Sequence, residues 1–348
     1  GSGFVNGSMV RFAGSNRTTT FVSSNQLTAS ITAADIQSTG TSAITVFNPE
    51  PGGGLSGAID FNVNNPAPTL VSISPSSKTV GDGAFTLTVN GTNFLNGSVV
   101  RLNGNDHVTT FVNATQLTAQ VGADEIAVAG TLAVTVFNPA PGGGVTGAID
   151  LQVNNPAPVL ASLSPADTLV GGAGLTLTVS GSGFVNGSVV KFNGSNRPTS
   201  FVSSTQLTAD LSASDLANAG VFPVLVENSA PGGGSSSAQN FTVNNPAPAI
   251  SSLSPASATA GDAAFTLTVT GTNFVSSAVV RVNGGDRATT FIDSSHLSIE
   301  ISAADVATAG SLSISLFTPA PGGGLSAGVD LPVNNPVPAI TSLTPDNT

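Results

Sequence analysis

The chain carries two histidines, His107 and His296, and no cysteine. A nucleophilic hydroxyl needs a base within hydrogen-bond reach, so acyl transfer would have to turn on these two rings. Ninety residues to either side of His107 stand Arg17 and Arg197, with Arg287 one step further. At multiples of the same ninety residues before His296 stand Gln26, Gln116 and Gln206. A position that exchanges imidazole for guanidinium or amide reads as a polar group beside solvent, not as a general base. No enzymatic reaction and no cofactor are expected.

Metal chemistry would need clustered oxygen ligands. The phrase DFNVNNP places Asp60, Asn62, Asn64 and Asn65 together, the ligand type that calcium accepts. The third copy of that phrase has Asn240 in place of the Asp, and no second acid accompanies it. Turn formation and solvation are therefore the expected roles, with calcium the alternative. Asp82 and Asp262 recur in tight turns, but Gly172 holds the matching place. An isopeptide crosslink would need a lysine at a recurring position, and Lys78 and Lys191 fall in different columns. Sequons such as Asn96-Gly-Ser and Asn113-Ala-Thr are expected by chance in a chain rich in Asn, Ser and Thr.

Two further columns recur at the same interval. Basic residues gather at Arg11, Arg101, Lys191 and Arg281, and again at Arg17, Arg197 and Arg287, on both sides of one hairpin. They read as solvated charges beside a turn, or as a stripe that meets acids on a neighbouring domain or chain. Phe47, Phe137 and Phe317 form the second kind of column, with Glu227 in the same place. Since Glu is accepted there, the position is expected to face outward. A regularly spaced exposed Phe would be a candidate stripe for self-association or ligand contact.

What positions these columns is a period of ninety. VNNPAP stands at 63–68, 153–158 and 243–248, with VNNPVP at 333–338, and PGGG at 51–54, 141–144, 231–234 and 321–324. Loops ordinarily drift in length between related units, so an unbroken register speaks for recent duplication or for a geometric demand on the period.

Within one unit, TLVSIS (69–74), FTLTVNG (85–91), SVVRLN (98–103), HVTTFV (107–112), QLTAQV (116–121), TLAVTVFN (131–138) and VTGAIDLQV (145–153) read as seven short strands. Asn-Gly between the third and fourth is a strong hairpin signal, and PAPGGG is expected to turn a second hairpin. Such spacing predicts an all-β immunoglobulin-like sandwich. One helical turn is expected before the sixth strand, where Thr32, Ser212 and Ser302 each precede an acid by three residues, the capping-box spacing. The acidic column Asp35, Glu125, Asp215 and Asp305 is thereby given a structural role.

SLSP, GTNF, the VxxNG hairpin, QLTA, the acid-containing turn and VTVFNPAPGGG together resemble the IPT/TIG domain, an immunoglobulin-like β-sandwich. The resemblance covers the whole chain and is closest to the tandem arrays of bacterial secreted and surface proteins. It implies residues 67–156, 157–246 and 247–336 as complete repeats. Residues 1–66 are then a repeat lacking its first two strands, and 337–348 the first strand of a further one. The ends fit a window on a longer array. The alternative, a tail completing the head of another chain, is weakened because the central strand matching 85–91 would be absent from both.

Bulk properties narrow the partners. Charged residues make up 8% of the chain, hydrophobic residues 40%, and the net charge is −11. That balance excludes nucleic acid and anionic membranes, which need clustered Lys and Arg. No apolar run is long enough to span a bilayer. A surface of Ser, Thr, Asn and Gly with few repelling charges suits lateral packing. Pro66 and Pro68 stiffen the junction, and four such units in line would extend roughly 120 Å. The expectation is an extracellular or cell-surface bacterial protein with its signal and anchor elsewhere, forming a stiff fibre, stalk or filament through self-association or neighbouring repeats. An adhesin presenting loops to a carbohydrate or surface-protein ligand is the runner-up.

Overall fold

The computed structural model describes residues 1–342. Its contacts divide the chain into two compact units, Gly1–Asn155 and Pro156–Thr348. Among the described residues the regular elements of both units are strands, apart from one 3-10 turn, Ala33–Ile36, in the first unit.

The complete repeat of the first unit shows the plan. Its strands are β1 Thr69–Ser74, β2 Ser77–Thr79, β3 Phe85–Thr92, β4 Val99–Leu102 and β5 Asn105–Asp106. They continue as β6 Thr109–Asn113, β7 Gln116–Val121, β8 Gly130–Asn138, β9 Gly144–Val145 and β10 Ile149–Asn154. One sheet has the order β6-β7-β3-β1, and the other β5-β4-β8-β10-β2 with β9 also paired to β8. Alternation decides the packing: Val100, Leu102, Val134, Val136, Leu151 and Val153 face Leu87, Val89, Leu117 and Ala119 across the sandwich. Each such side chain stabilises the fold by about 1.5–3 kcal/mol when fully buried. Both repeats of the second unit have the same two sheets.

Three expectations need correction. The first predicted strand forms as expected over Thr69–Ser74, but a further short strand that the seven did not include follows it. After β1 the chain passes Pro75, which has no N–H to donate, and β2 joins the opposite sheet, parallel to β10. The Asn-Gly hairpin forms with Asn103 in the left-handed region (φ 48°), but its returning strand is only Asn105–Asp106. HVTTFV does not pair back on it; Thr109–Asn113 crosses to the other sheet and pairs with β7. The acidic turn is a 3-10 helix in the first repeat and hydrogen-bonded turns in the others.

Residues 1–66 form one five-stranded sheet and a single two-stranded pair, Thr19–Ser23 with Gln26–Ala29. Their core is correspondingly open: Phe61 is 42% exposed, whereas the matching Leu151 is 0% exposed. At the other end residues 335–342 take no strand and Ile340 is 85% exposed. The remainder of the expected further strand, 343–348, lies outside the described residues.

Candidate functional site

The chemistry-bearing residues are held by their own repeat. Nε2 of His107 lies 3.1 Å from Oε1 of Glu125, the acid of the adjacent turn. His296 stands with Asp293 and Ser295 on a tight turn, so Ser, His and Asp do meet. However, Ser295 Oγ at 2.9 Å and Asp293 Oδ1 at 2.9 Å both address the same nitrogen, Nδ1. A hydrolytic triad needs the acid on one ring nitrogen and the hydroxyl on the other. Here the carboxylate also accepts the Ser295 backbone N–H at 2.7 Å, so the cluster closes the turn. Hydrogen bonds from the Ser295 hydroxyl and N–H, then from His296, hold Asp293 at about 2. Among the described residues no three His, Cys, Asp or Glu side chains converge as a metal site.

The second basic column meets the acidic column inside each repeat, not on a neighbouring domain. Arg17 pairs with Asp35, Arg197 with Asp215, and Arg287 with Asp305. Each acid also accepts a backbone N–H at the start of its turn: Thr32 to Asp35 at 2.8 Å, Ser212 to Asp215 at 2.9 Å and Ser302 to Asp305 at 2.9 Å. One carboxylate therefore closes the turn and ties it to the hairpin. The Arg17 hydrogen bond, reinforced by Thr32, holds Asp35 at about 2. Burial pulls Asp215 upward, but Arg197 and Ser212 together outweigh it and leave the carboxyl lowered. Shallow grooves of about 420 and 230 Å3 flank the Arg197–Asp215 pair.

The first basic column and the Phe column turn out to be one feature. Strand pairing sets Val99 opposite Phe137 and Arg101 opposite Thr135, so Arg101 and Phe137 are diagonal neighbours on the outward face. The Arg101 guanidinium lies 4.2 Å from the ring centroid, Arg11 lies 4.6 Å from that of Phe47, and Arg281 lies 4.3 Å from that of Phe317. Lys191 instead makes an ion pair with Glu227. The rings do face outward, but they are half-buried beneath their own arginines. The expectation of an open Phe stripe is corrected accordingly.

Two features were not recognised in the sequence. In the first unit the linker residue Asn65 docks onto the NPAPGGG loop of the repeat that follows. Its N–H donates to Pro141 O at 2.7 Å and its Nδ2 to Pro139 O at 2.7 Å, while Gly143 N–H donates to Asn65 O at 2.8 Å. Asn138 Nδ2 adds a bond to Pro66 O at 3.0 Å. Within the second unit Asn245 repeats the arrangement on Pro319, Pro321 and Gly323 at 2.8 Å each. A Cβ on Gly142 would stand 2.6 Å from both Asn64 Cβ and Asn65 O, which is why the loop needs glycine there. The linker is thus docked as well as stiff. The joint appearance of NNPAP and PGGG at constant spacing is the available signal; taken singly, the first indicates a stiff junction and the second a turn.

The other missed feature is β6, the edge of its sheet. It presents Phe111 at 37% and Val112 at 48% exposure, and the pair recurs as Phe21–Val22, Phe201–Val202 and Phe291–Ile292.

Beneath the linker bonds lies a polar pair. Ser98 Oγ donates to Asn138 Oδ1 at 2.6 Å, and Ser188 to Asn228 at 2.6 Å. In the last repeat both partners change together, to Ala278 and Thr318. Thr318 Oγ1 is left buried without a partner.

A family model for the IPT/TIG domain matches residues 68–153, 158–243 and 248–332. No curated protein matches the chain. Among solved structures, an ICAM-5 D1–D4 ectodomain fragment is 16% identical over 84% of this chain and 83% of its own, with a TM-score of 0.38. A crystal structure with a xylogluco-oligosaccharide is 18% identical over 72% of this chain, with a TM-score of 0.31. This chain spans 57% of that one. The Bacteroides ovatus mixed-linkage glucan utilization locus SGBP-B, in complex with a mixed-linkage heptasaccharide, is 13% identical over 74% of this chain and 66% of its own, with a TM-score of 0.21.

Proposed function

Because the chain belongs to the IPT/TIG family, we propose that it is a non-catalytic structural protein of the cell exterior, a stiff fibre, stalk or filament on a bacterial surface. The observation that carries this reading is the docked linker. Asn65 and Asn245 each fasten a junction to the repeat that follows through backbone and side-chain bonds, which removes the slack a flexible tether would have. The sparse charge of the surface supports lateral packing of such fibres. Negative-stain imaging tests the reading: extended, straight particles of roughly 30 Å per repeat are expected. Particles bent at random at the junctions would overturn it.

A second reading, an adhesin, is favoured by the Phe–Val pair, Phe–Ile in the last repeat, that an edge strand presents. Half-exposed aromatic and aliphatic side chains on an edge strand suit a carbohydrate or surface-protein ligand. Saturable binding on a glycan array, lost on Phe111→Ser and Phe201→Ser, would establish it.

A further inference from the structure

Three repeats turn the same hairpin on Asn-Gly, at Asn103-Gly104, Asn193-Gly194 and Asn283-Gly284. The backbone hardly differs among them: Asn has φ of 48°, 47° and 51°, and Gly has φ of 85°, 79° and 83°. All of these residues are exposed, and a Cβ on any of the three glycines would meet nothing within 4 Å. Asparagine followed by glycine is a reactive pair, because no side chain shields the glycine nitrogen from the amide carbon before it. Since the turns are alike, their chemistry is distinguished by how each asparagine side chain is held.

The neighbouring strand does the holding. Each Asn main-chain N–H donates to a carbonyl there: Asn103 to Ala133 O at 2.9 Å, Asn193 to Pro223 O at 2.8 Å and Asn283 to Ser313 O at 2.8 Å. In two repeats the partner residue donates in return. Ala133 N–H bonds Asn103 Oδ1 at 2.9 Å, and Ser313 N–H bonds Asn283 Oδ1 at 2.8 Å. That bond ties the amide to the strand and must break before the amide carbon can turn to the glycine nitrogen. Pro223 has no N–H to give, and among the described residues nothing else bonds the Asn193 amide.

We propose that Asn193 is a site of spontaneous modification, deamidating ahead of Asn103 and Asn283. The Gly194 main-chain nitrogen gives its proton to hydroxide and attacks Asn193 Cγ, closing a succinimide ring. The Cγ–Nδ2 bond breaks, and Nδ2 leaves as ammonia with a proton taken from water, which restores the hydroxide. Water then adds to either ring carbonyl and cleaves its bond to the Gly194 nitrogen. Cleavage at Cγ leaves aspartate, and cleavage at the main-chain carbonyl leaves isoaspartate. Nothing is oxidised or reduced, and water is the sole co-reactant consumed. Either product sets a carboxylate in the groove that Asn193 lines with Arg197 and Asp215. The isoaspartate also adds a methylene to the main chain of the turn. This inference stands apart from both the fibre and the adhesin readings.

Peptide mapping by tandem mass spectrometry tests it, on the full chain held at mildly alkaline pH to speed loss of the glycine proton. Conversion at Asn193 should run about fivefold faster than at Asn103 or Asn283, the factor that one ordinary hydrogen bond is worth. Both aspartate and isoaspartate should accumulate there. Pro223→Ala restores the missing donor with the residue that the preceding repeat already carries, and should slow Asn193 to the rate of Asn103. Ala133→Pro removes the donor at Asn103 and should quicken that site about fivefold. The comparison within the parent chain needs no variant, so it decides even where a variant folds poorly. Equal rates at the three asparagines, or a Pro223→Ala chain in which Asn193 reacts as before, would overturn the assignment.

Discussion

Arg101 lies over the ring of Phe137, 36 positions along the chain, with its guanidinium carbon 4.2 Å from the ring centroid. One repeat later the same two places hold Lys191 and Glu227 as an ion pair. Two different chemistries thus cover one outward patch of the sheet. The pairing of β4 with β8 makes the two positions neighbours whatever side chains they carry.

A double-mutant cycle on Arg101→Ala and Phe137→Ala should return a coupling of about 0.5–1 kcal/mol, as for a cation over an exposed ring. Hydrogen exchange of the Val134 and Val136 amides reads that repeat by itself. Additive single effects would show that the two side chains merely coexist.

Gly142→Ala and Gly52→Ala carry the same left-handed backbone cost of about 1–2 kcal/mol. Only at Gly142 does the new methyl meet a docked linker, 2.6 Å from Asn65 O. Gly142→Ala should therefore also release the linker, seen as faster proteolysis between Asn64 and Ala67. Equal protection of that segment in both variants would contradict the docked geometry.

Thr318 has no exposed surface, and its hydroxyl lacks a partner. Thr318→Val should raise the stability of the last repeat by about 1 kcal/mol, since an unsatisfied buried group costs at least that. Thr318→Asn with Ala278→Ser should rebuild the pair that Ser98 and Asn138 make, and stabilise more than Thr318→Asn alone. Urea unfolding monitored by exchange in that repeat distinguishes the variants.

Acid should loosen the turns closed by Asp35, Asp215 and Asp305. Asp35 sits at about 2 when folded against an ordinary 3.8, chiefly through Arg17. Asp215 and Asp305 are lowered in the same direction, the bonds from arginine and serine outweighing their burial. A folded value below the unfolded one means the stabilisation is complete above about pH 4 and disappears as pH falls toward about 2. Thermal melts across that range should decline more steeply for the parent than for a variant with all three aspartates changed to Asn. Parallel declines would assign the acid sensitivity elsewhere.

Much of this was readable in one dimension, because the determining interactions are short in sequence. Asn103-Gly104 announces its own turn, Thr32 reaches an acid three residues away, and the alternation of Val100 and Leu102 with Arg101 sorts inside from outside. The linker dock was not readable. Asn65 finds Pro139 across 74 residues, and nothing in either phrase says that they meet. The same holds for Arg17 and Asp35: the arginine looked solvated until the hairpin and the turn were brought together.

The sequence by itself determined the period, the strand faces, the turns and the absence of clustered basic charge, since each follows from local stereochemistry or composition. Tertiary structure alone decided which columns become partners and where the chain changes sheets. It also decided that the junction is docked onto a loop of the next repeat. Those outcomes depend on strand pairing, which sets distant residues a few ångströms apart and which no residue type specifies by itself.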